Sequence, residues 1–170
     1  VYDGSHGTHP KLVGERLFTN PVAPGWAKPG TESFDDPRLR GLDNKPYGPL
    51  PRDWGQWQGP GLPGHVVFLQ DAIDGGKIVE SPALTRSNGV KAIVRTLFIQ
   101  SRKTDWQMQV AHGEGQAMLK SVDGQSVATF ANGLSAGFVG APEGAKFVAT
   151  DDGQLRLQIP AGEPVEFHLA

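Results

Sequence analysis

The 170-residue chain contains no cysteine, and its 16 basic and 18 acidic side chains leave a formal net charge of −2. This length is typical of one globular domain and allows a substantial core. The absence of cysteine excludes, within this chain, disulfides, thiolate zinc sites, a cysteine nucleophile and covalent attachment of haem c. The near-neutral charge provides no basic field for nucleic acid, and no apolar run is long enough for a transmembrane helix.

Glycine and proline divide the chain near residue 64. Residues 1–64 hold 11 of the 23 glycines and 10 of the 14 prolines. Because each proline fixes its own φ and disfavours helix at the preceding residue, no long helix is expected there, and 10–18 is the best short candidate. Aromatic residues such as Trp26 and Phe34 recur in this part, whereas disordered linkers are poor in such anchors. We predict an ordered, mostly irregular arm over 1–64, lying on the rest of the chain or on a neighbouring domain.

Residues 65–170 are predicted to form an antiparallel β-sandwich-like body, so that the fold class is all-β. Short stretches of alternating apolar and polar residues recur between turn signals, as expected for strands with one buried face. In chain order, the predicted strands are 65–69, 77–81, 90–99, 106–110, 127–130, 137–139, 147–150, 154–159 and 165–169. Strand 90–99 is apolar on both faces, which indicates a central strand covered on both sides.

Turn dipeptides connect several of these strands. Asp123-Gly124 and Asp152-Gly153 lie between alternating runs and predict hairpins with primed turns. Asp74-Gly75-Gly76 and Asn88-Gly89 are weaker examples of the same signal.

The string Asp3-Gly4-Ser5-His6-Gly7-Thr8-His9-Pro10 is the sharpest local motif. The tetrapeptide His-Gly-Thr-His also surrounds the catalytic histidine of subtilisin-like proteases. Here, however, Pro10 interrupts the helix that those proteases require, and no segment with a serine nucleophile follows. His6 and His9, with Asp3 as a third donor, could instead bind a transition metal. The alternative is a turn in which the His and Thr side chains bond to nearby backbone.

A second candidate lies at the end of the arm, where two tryptophans stand three residues apart. Trp54 and Trp57 could stack on sugar rings while Arg52 and Asp53 bond to hydroxyl groups. The same spacing suits one helical turn that anchors the arm on a core. Both interpretations remain open from the residues alone.

The other ionisable residues favour structural roles. The remaining histidines fall at a strand start, a strand end and an exposed strand face, and they are His65, His112 and His168. Pairs of aspartates lie beside glycine or proline, where turn chemistry accounts for them; they are Asp35-Asp36, Asp71 with Asp74, and Asp151-Asp152.

Several motifs occur in an order that resembles a known family. They are the string 3–10, Pro24-Gly25-Trp26-Ala27, Phe34-Asp35-Asp36-Pro37-Arg38 and 45–54, followed more loosely by Val79-Glu80-Ser81-Pro82. This order resembles domains of unknown function found inside large exported bacterial proteins. Those proteins also carry a c-type haem module and often a propeller similar to sugar dehydrogenases. The run Gly59-Pro60-Gly61-Leu62-Pro63-Gly64 departs from the family pattern.

The resemblance implies a periplasmic or extracellular segment of, or partner to, a haem-linked oxidoreductase. We therefore expect a non-catalytic binding or assembly module whose partners are neighbouring domains or subunits, with a carbohydrate-related role. No cofactor is expected in this chain, and haem c would belong to the parent protein or a partner. A start on Val1-Tyr2 without a leader favours a processed chain or a fragment. The alternative is a metal-dependent enzyme or metalloprotein that uses His6 and His9.

Overall fold

The structure is a computed structural model that describes residues 25–35, 40–44 and 77–170 in full and the backbone of 57–58 and 68–71. All regular structure in these residues is β, and they include no helix long and apolar enough to cross a membrane. The strands are β1 Trp57–Gln58, β2 Phe68–Asp71, β3 Lys77–Ser87, β4 Val90–Ile99, β5 Trp106–His112, β6 Met118–Val122, β7 Gln125–Thr129, β8 Ser135–Val139, β9 Lys146–Ala149, β10 Gln154–Ile159 and β11 Val165–Leu169.

The strands form two antiparallel sheets in a sandwich-like arrangement, which confirms the predicted fold class. The larger sheet has eight strands in the order β1-β2-β3-β4-β11-β8-β7-β6, and the smaller has the order β5-β10-β9. The inner faces of the two sheets meet in one core, where the rings of Phe138 on β8 and Phe147 on β9 lie edge to face with centroids 4.9 Å apart.

The apolar residues that alternate along the strands fill this core, as predicted. Leu155, Leu157 and Ile159 of β10 are fully buried, as are Leu97 and Ile99 of β4. Each such side chain contributes about 1.5–3 kcal/mol when it is removed from water.

The prediction for strand 90–99 is half correct. β4 is central in its sheet and has the predicted bounds, but it is not covered on both sides. Leu97 and Ile99 face the core, whereas Phe98 between them is 38% exposed and Val90 is 65% exposed. The smaller sheet covers only one side of the larger sheet, so the apolar residues on the other side remain in contact with solvent.

In the described residues the hairpin turns follow the dipeptide signals with one difference in type, whereas Asp74-Gly75-Gly76 lies outside the described residues. Asn88 and Asp123 have positive φ, as do the glycines that follow them, which is the pattern of a type I′ turn. At the third hairpin only Gly153 has positive φ, and its N–H donates to the Thr150 carbonyl over 3.0 Å. The primed turn predicted there is wrong, because the β9–β10 loop has four residues, Thr150 to Gly153, and places only the glycine in the left-handed region.

The arm segment 25–35 lies on the smaller sheet. Trp26 forms an antiparallel bridge with Met108, and the Ala27 N–H donates to the Gln107 carbonyl over 2.8 Å. Trp26 is buried against Trp106, with ring centroids 6.0 Å apart and an edge-to-face orientation. The Arg156 guanidinium lies over the ring of Phe34 further along this segment, 4.7 Å from its centroid. Two aromatic side chains therefore fix this segment to the sheet.

Candidate functional site

One side of the eight-stranded sheet points away from the core and exposes several large apolar side chains. We call it the outer face. It is presented by the residues that alternate with the buried positions, and its central members are Thr96, Phe98, Glu166, His168, Val139 and Val127.

The register places these side chains in two adjacent rows. In one row, Thr96 of β4 lies between Ser81 of β3 and His168 of β11, and His168 is in turn opposite Val139 of β8. Side chains directly opposite on an antiparallel pair have Cβ atoms about 4.5–5.5 Å apart. This row therefore runs across four adjacent strands.

The second row contains the aromatic residue of the outer face. Phe98 of β4 lies opposite Val79 of β3 and opposite Glu166 of β11. Glu166 is exposed, and Phe98 is partly exposed. An apolar ring beside a carboxylate and an imidazole can make both apolar and polar contacts with a ligand.

Among the central residues of the outer face named above, the only described hydrogen bond between side chains joins Thr96 and His168. The Thr96 hydroxyl and the His168 Nδ1 are 3.1 Å apart, with donor and acceptor set by the tautomer. A hydroxyl hydrogen-bonded to an imidazole is also the arrangement of a catalytic nucleophile and its base, which a third group normally orients. Among the described residues, however, none hydrogen-bonds to the other ring nitrogen to orient it, and both residues stand on an open sheet. The pair is therefore suited to binding a ligand through the free imidazole nitrogen.

Large apolar side chains surround this polar centre. Met118 and Val122 of β6 and Val139 of β8 each expose more than half of their surface. With strands about 4.8 Å apart and a rise of about 3.4 Å per residue, the six strands from β3 to β6 offer an area of about 24 Å by 17 Å. Contact with an equal area on a partner would bury about 800 Å², which is within the range for interfaces between domains.

The predicted metal site and most of the tryptophan cluster lie outside the described residues. These are Asp3, His6, His9, Arg52, Asp53 and Trp54. The backbone of Trp57 is described. It pairs with the backbone of Gln70, at the β1 end of the eight-stranded sheet. In the ranges that the structure covers, no group of three or more His, Asp or Glu side chains could hold a metal ion.

The aspartate pair at 151–152 has the turn role that its sequence indicates. Thr150 Oγ1 donates to one carboxylate oxygen of Asp152, and Gln154 Nε2 donates to the other over 2.8 Å. The hydrogen bond from Thr150, and then those from Gln154, lower the pKa of the Asp152 carboxyl below its ordinary value. Since hydrogen bonds to the charged form explain this shift, the exposed carboxylate stabilises the β9–β10 hairpin.

Sequence reasoning found His168 as an exposed strand residue but missed the patch around it. The alternation of β11 shows which residues share a face, yet it does not show that β11 lies between β4 and β8. Thr96 and His168 are 72 positions apart in the chain. Their proximity depends on this strand order, for which the local pattern contains no signal.

One family model matches the first part of the chain. Residues 2–80 match the family model described as Domain of unknown function (DUF6797). This match covers the arm, β1, β2 and the first four residues of β3. No curated protein and no solved structure matches the chain.

Proposed function

We propose that this chain is a non-catalytic binding or assembly module that docks on a neighbouring domain or subunit of an exported, haem-linked oxidoreductase. The observation that carries the proposal is the exposed outer face, which presents Phe98, Met118, Val122 and Val139 to solvent. Exposed apolar patches with polar surroundings are typical of interaction sites.

The composition of the outer face favours a protein over a sugar as its ligand. Sugar rings stack on aromatic side chains, and in the described part of the chain Phe98 is the single aromatic residue on this face. The other large apolar residues are aliphatic. The carbohydrate-related part of the proposal instead depends on Arg52, Asp53, Trp54 and Trp57.

The exported, haem-linked context is supported by the order of motifs in residues 3–54. These motifs resemble domains that accompany c-type haem modules and sugar-dehydrogenase-like propellers. Because the chain has no cysteine, covalently attached haem would belong to another domain or subunit of the assembly. This chain would then position its neighbours, with the body as a rigid support.

Hydroxyl-radical footprinting of the natural protein tests whether the outer face is covered. We expect oxidation of Met118 and Phe98 to be several-fold slower in the natural assembly than in the isolated 170-residue chain. Leu134, which is 45% exposed on the β7–β8 turn, is the exposed control, and the buried Met108 is the protected one. Equal oxidation of Met118 and Phe98 in both samples would rule out docking through this face.

The string Asp3 to His9 supports a second candidate, a metalloprotein or metal-dependent enzyme. On this hypothesis His6 and His9, with Asp3, hold a transition metal. Elemental analysis of the purified chain should then show a stoichiometric metal that is lost in the double variant His6→Ala, His9→Ala. The matched control is His112→Ala, which removes an imidazole that hydrogen-bonds to the Asp152 carbonyl in the body. A metal-free native chain would eliminate this candidate.

A further inference from the structure

The hairpin formed by β3 and β4 extends beyond the core. Its strands pair continuously from Ile78↔Ile99 to Ser87↔Val90, and the type I′ turn Asn88-Gly89 closes it. Most residues of 83–93 are exposed. At about 3.4 Å per residue, this overhang projects roughly 15 Å past the buried part of the sheet.

The overhang belongs to a stretch of one charge sign. Residues 81–104 contain five basic side chains and no acidic one, although the whole chain has more acidic than basic residues. Arg95 in this stretch is bound to Glu80 at the base of the hairpin, and Arg102 is buried with its guanidinium donating to the Pro160 and Gln100 carbonyls. Arg86, Lys91 and Lys103 remain exposed.

Arg86 and Lys91 lie directly opposite each other near the tip of the overhang. Like charges in directly opposite positions destabilise an antiparallel pair. In the described part of the chain, no carboxylate forms an ion pair with either of them. The arrangement is therefore unfavourable in the free chain and becomes favourable when an anionic surface is placed against it.

The next pair along the same side of the hairpin is apolar. Leu84 lies opposite Ile93, and Leu84 is 46% exposed. The two cations and the two aliphatic side chains form one small surface on the side of the hairpin that faces the core layer. We call this surface the basic overhang.

We propose that the basic overhang docks on an acidic protein surface, with the Arg86 and Lys91 side chains paired to carboxylates and the Leu84 and Ile93 side chains against apolar atoms. Two cations are too few for nucleic acid or for an anionic membrane, where binding uses more basic residues. The aliphatic pair and the absence of an aromatic side chain in 83–93 favour a protein over an acidic polysaccharide. The basic overhang is separate from the outer face, so that this docking can hold whether or not the outer face is covered.

Binding of the 170-residue chain to a random copolymer of glutamate and tyrosine, compared with poly-glutamate and with polygalacturonate, tests the proposal. We expect the Glu–Tyr copolymer to bind most tightly and the affinity to fall as salt is raised to 0.5 M, because exposed charges are then screened. The double variant Arg86→Glu, Lys91→Glu should weaken binding by at least tenfold, and Leu84→Ser should weaken binding to the copolymer more than to poly-glutamate.

The matched control is the double variant Lys103→Glu, Lys146→Glu, which makes the same change in net charge on exposed residues away from the overhang. Circular dichroism establishes that each variant is folded. An equal loss of affinity in both double variants would mean that the affinity depends only on net charge, and this result would overturn the proposal. Tighter binding to polygalacturonate than to the copolymer would overturn it in favour of a polysaccharide ligand.

Discussion

Replacement of Trp26 by alanine is expected to lower the free energy of unfolding by about 3–5 kcal/mol, as for other buried tryptophans. Trp26 is 7% exposed and packs edge to face on Trp106. Its neighbours in the chain are held to β5, since the Ala27 N–H donates to the Gln107 carbonyl and the Gln109 N–H donates to the Gly25 carbonyl over 2.7 Å. Loss of the ring would remove the apolar contact that accompanies these hydrogen bonds. Urea unfolding of the full chain measures the change.

Phe34→Ala is the matched control for this prediction. The Phe34 ring is partly exposed and contacts the Arg156 guanidinium, so that its removal should lower the free energy of unfolding by only about 0.5–1 kcal/mol. Trp26→Phe should retain most of the stability, because a ring remains against Trp106. A loss below about 1 kcal/mol for Trp26→Ala would mean that this segment of the arm is not anchored on the smaller sheet.

Local patterns were sufficient to predict most of the strands. The alternation in 154–159 follows from one buried and one open face, and β10 has the predicted bounds. Asn88-Gly89 was the weaker hairpin signal but forms a regular type I′ turn, because asparagine tolerates positive φ and glycine adopts it freely. β3 is longer than predicted and continues through Pro82. The described part of β2 pairs with β3 only as far as Glu80, and Pro82 lies opposite Arg95 of β4.

The candidate surfaces depend on information that local patterns do not contain. Phe98 lies in an apolar run of the sequence, which predicts a buried residue. It is exposed because the three-stranded sheet covers only the opposite side of β4. The pairing of Arg86 with Lys91 requires the hairpin register, which the turn at Asn88-Gly89 fixes. A two-residue turn at Asn88-Gly89 is enough to derive this register from the sequence. The order of β4, β11 and β8 cannot be derived in this way, since it joins distant parts of the chain.

The ion pair between Glu80 and Arg95 supports the base of the basic overhang. The guanidinium donates to both carboxylate oxygens, from Nε over 2.6 Å and from Nη2 over 2.8 Å, and the two side chains are only 15% and 10% exposed. Glu80→Leu should cost about 3–5 kcal/mol, because it leaves the largely buried guanidinium without its bidentate carboxylate. Chemical denaturation measures the change in the free energy of unfolding.

The double variant Glu80→Leu, Arg95→Leu should recover most of this loss, since a buried ion pair and an apolar pair of similar volume have similar net stability. The single variant should also accelerate amide hydrogen exchange in 83–93 more than in β10. The reason is that the ion pair joins β3 to β4 where the hairpin leaves the core, and the overhang beyond it has little other packing. Equal acceleration in both regions would mean that the ion pair stabilises the fold as a whole and does not specifically hold the overhang.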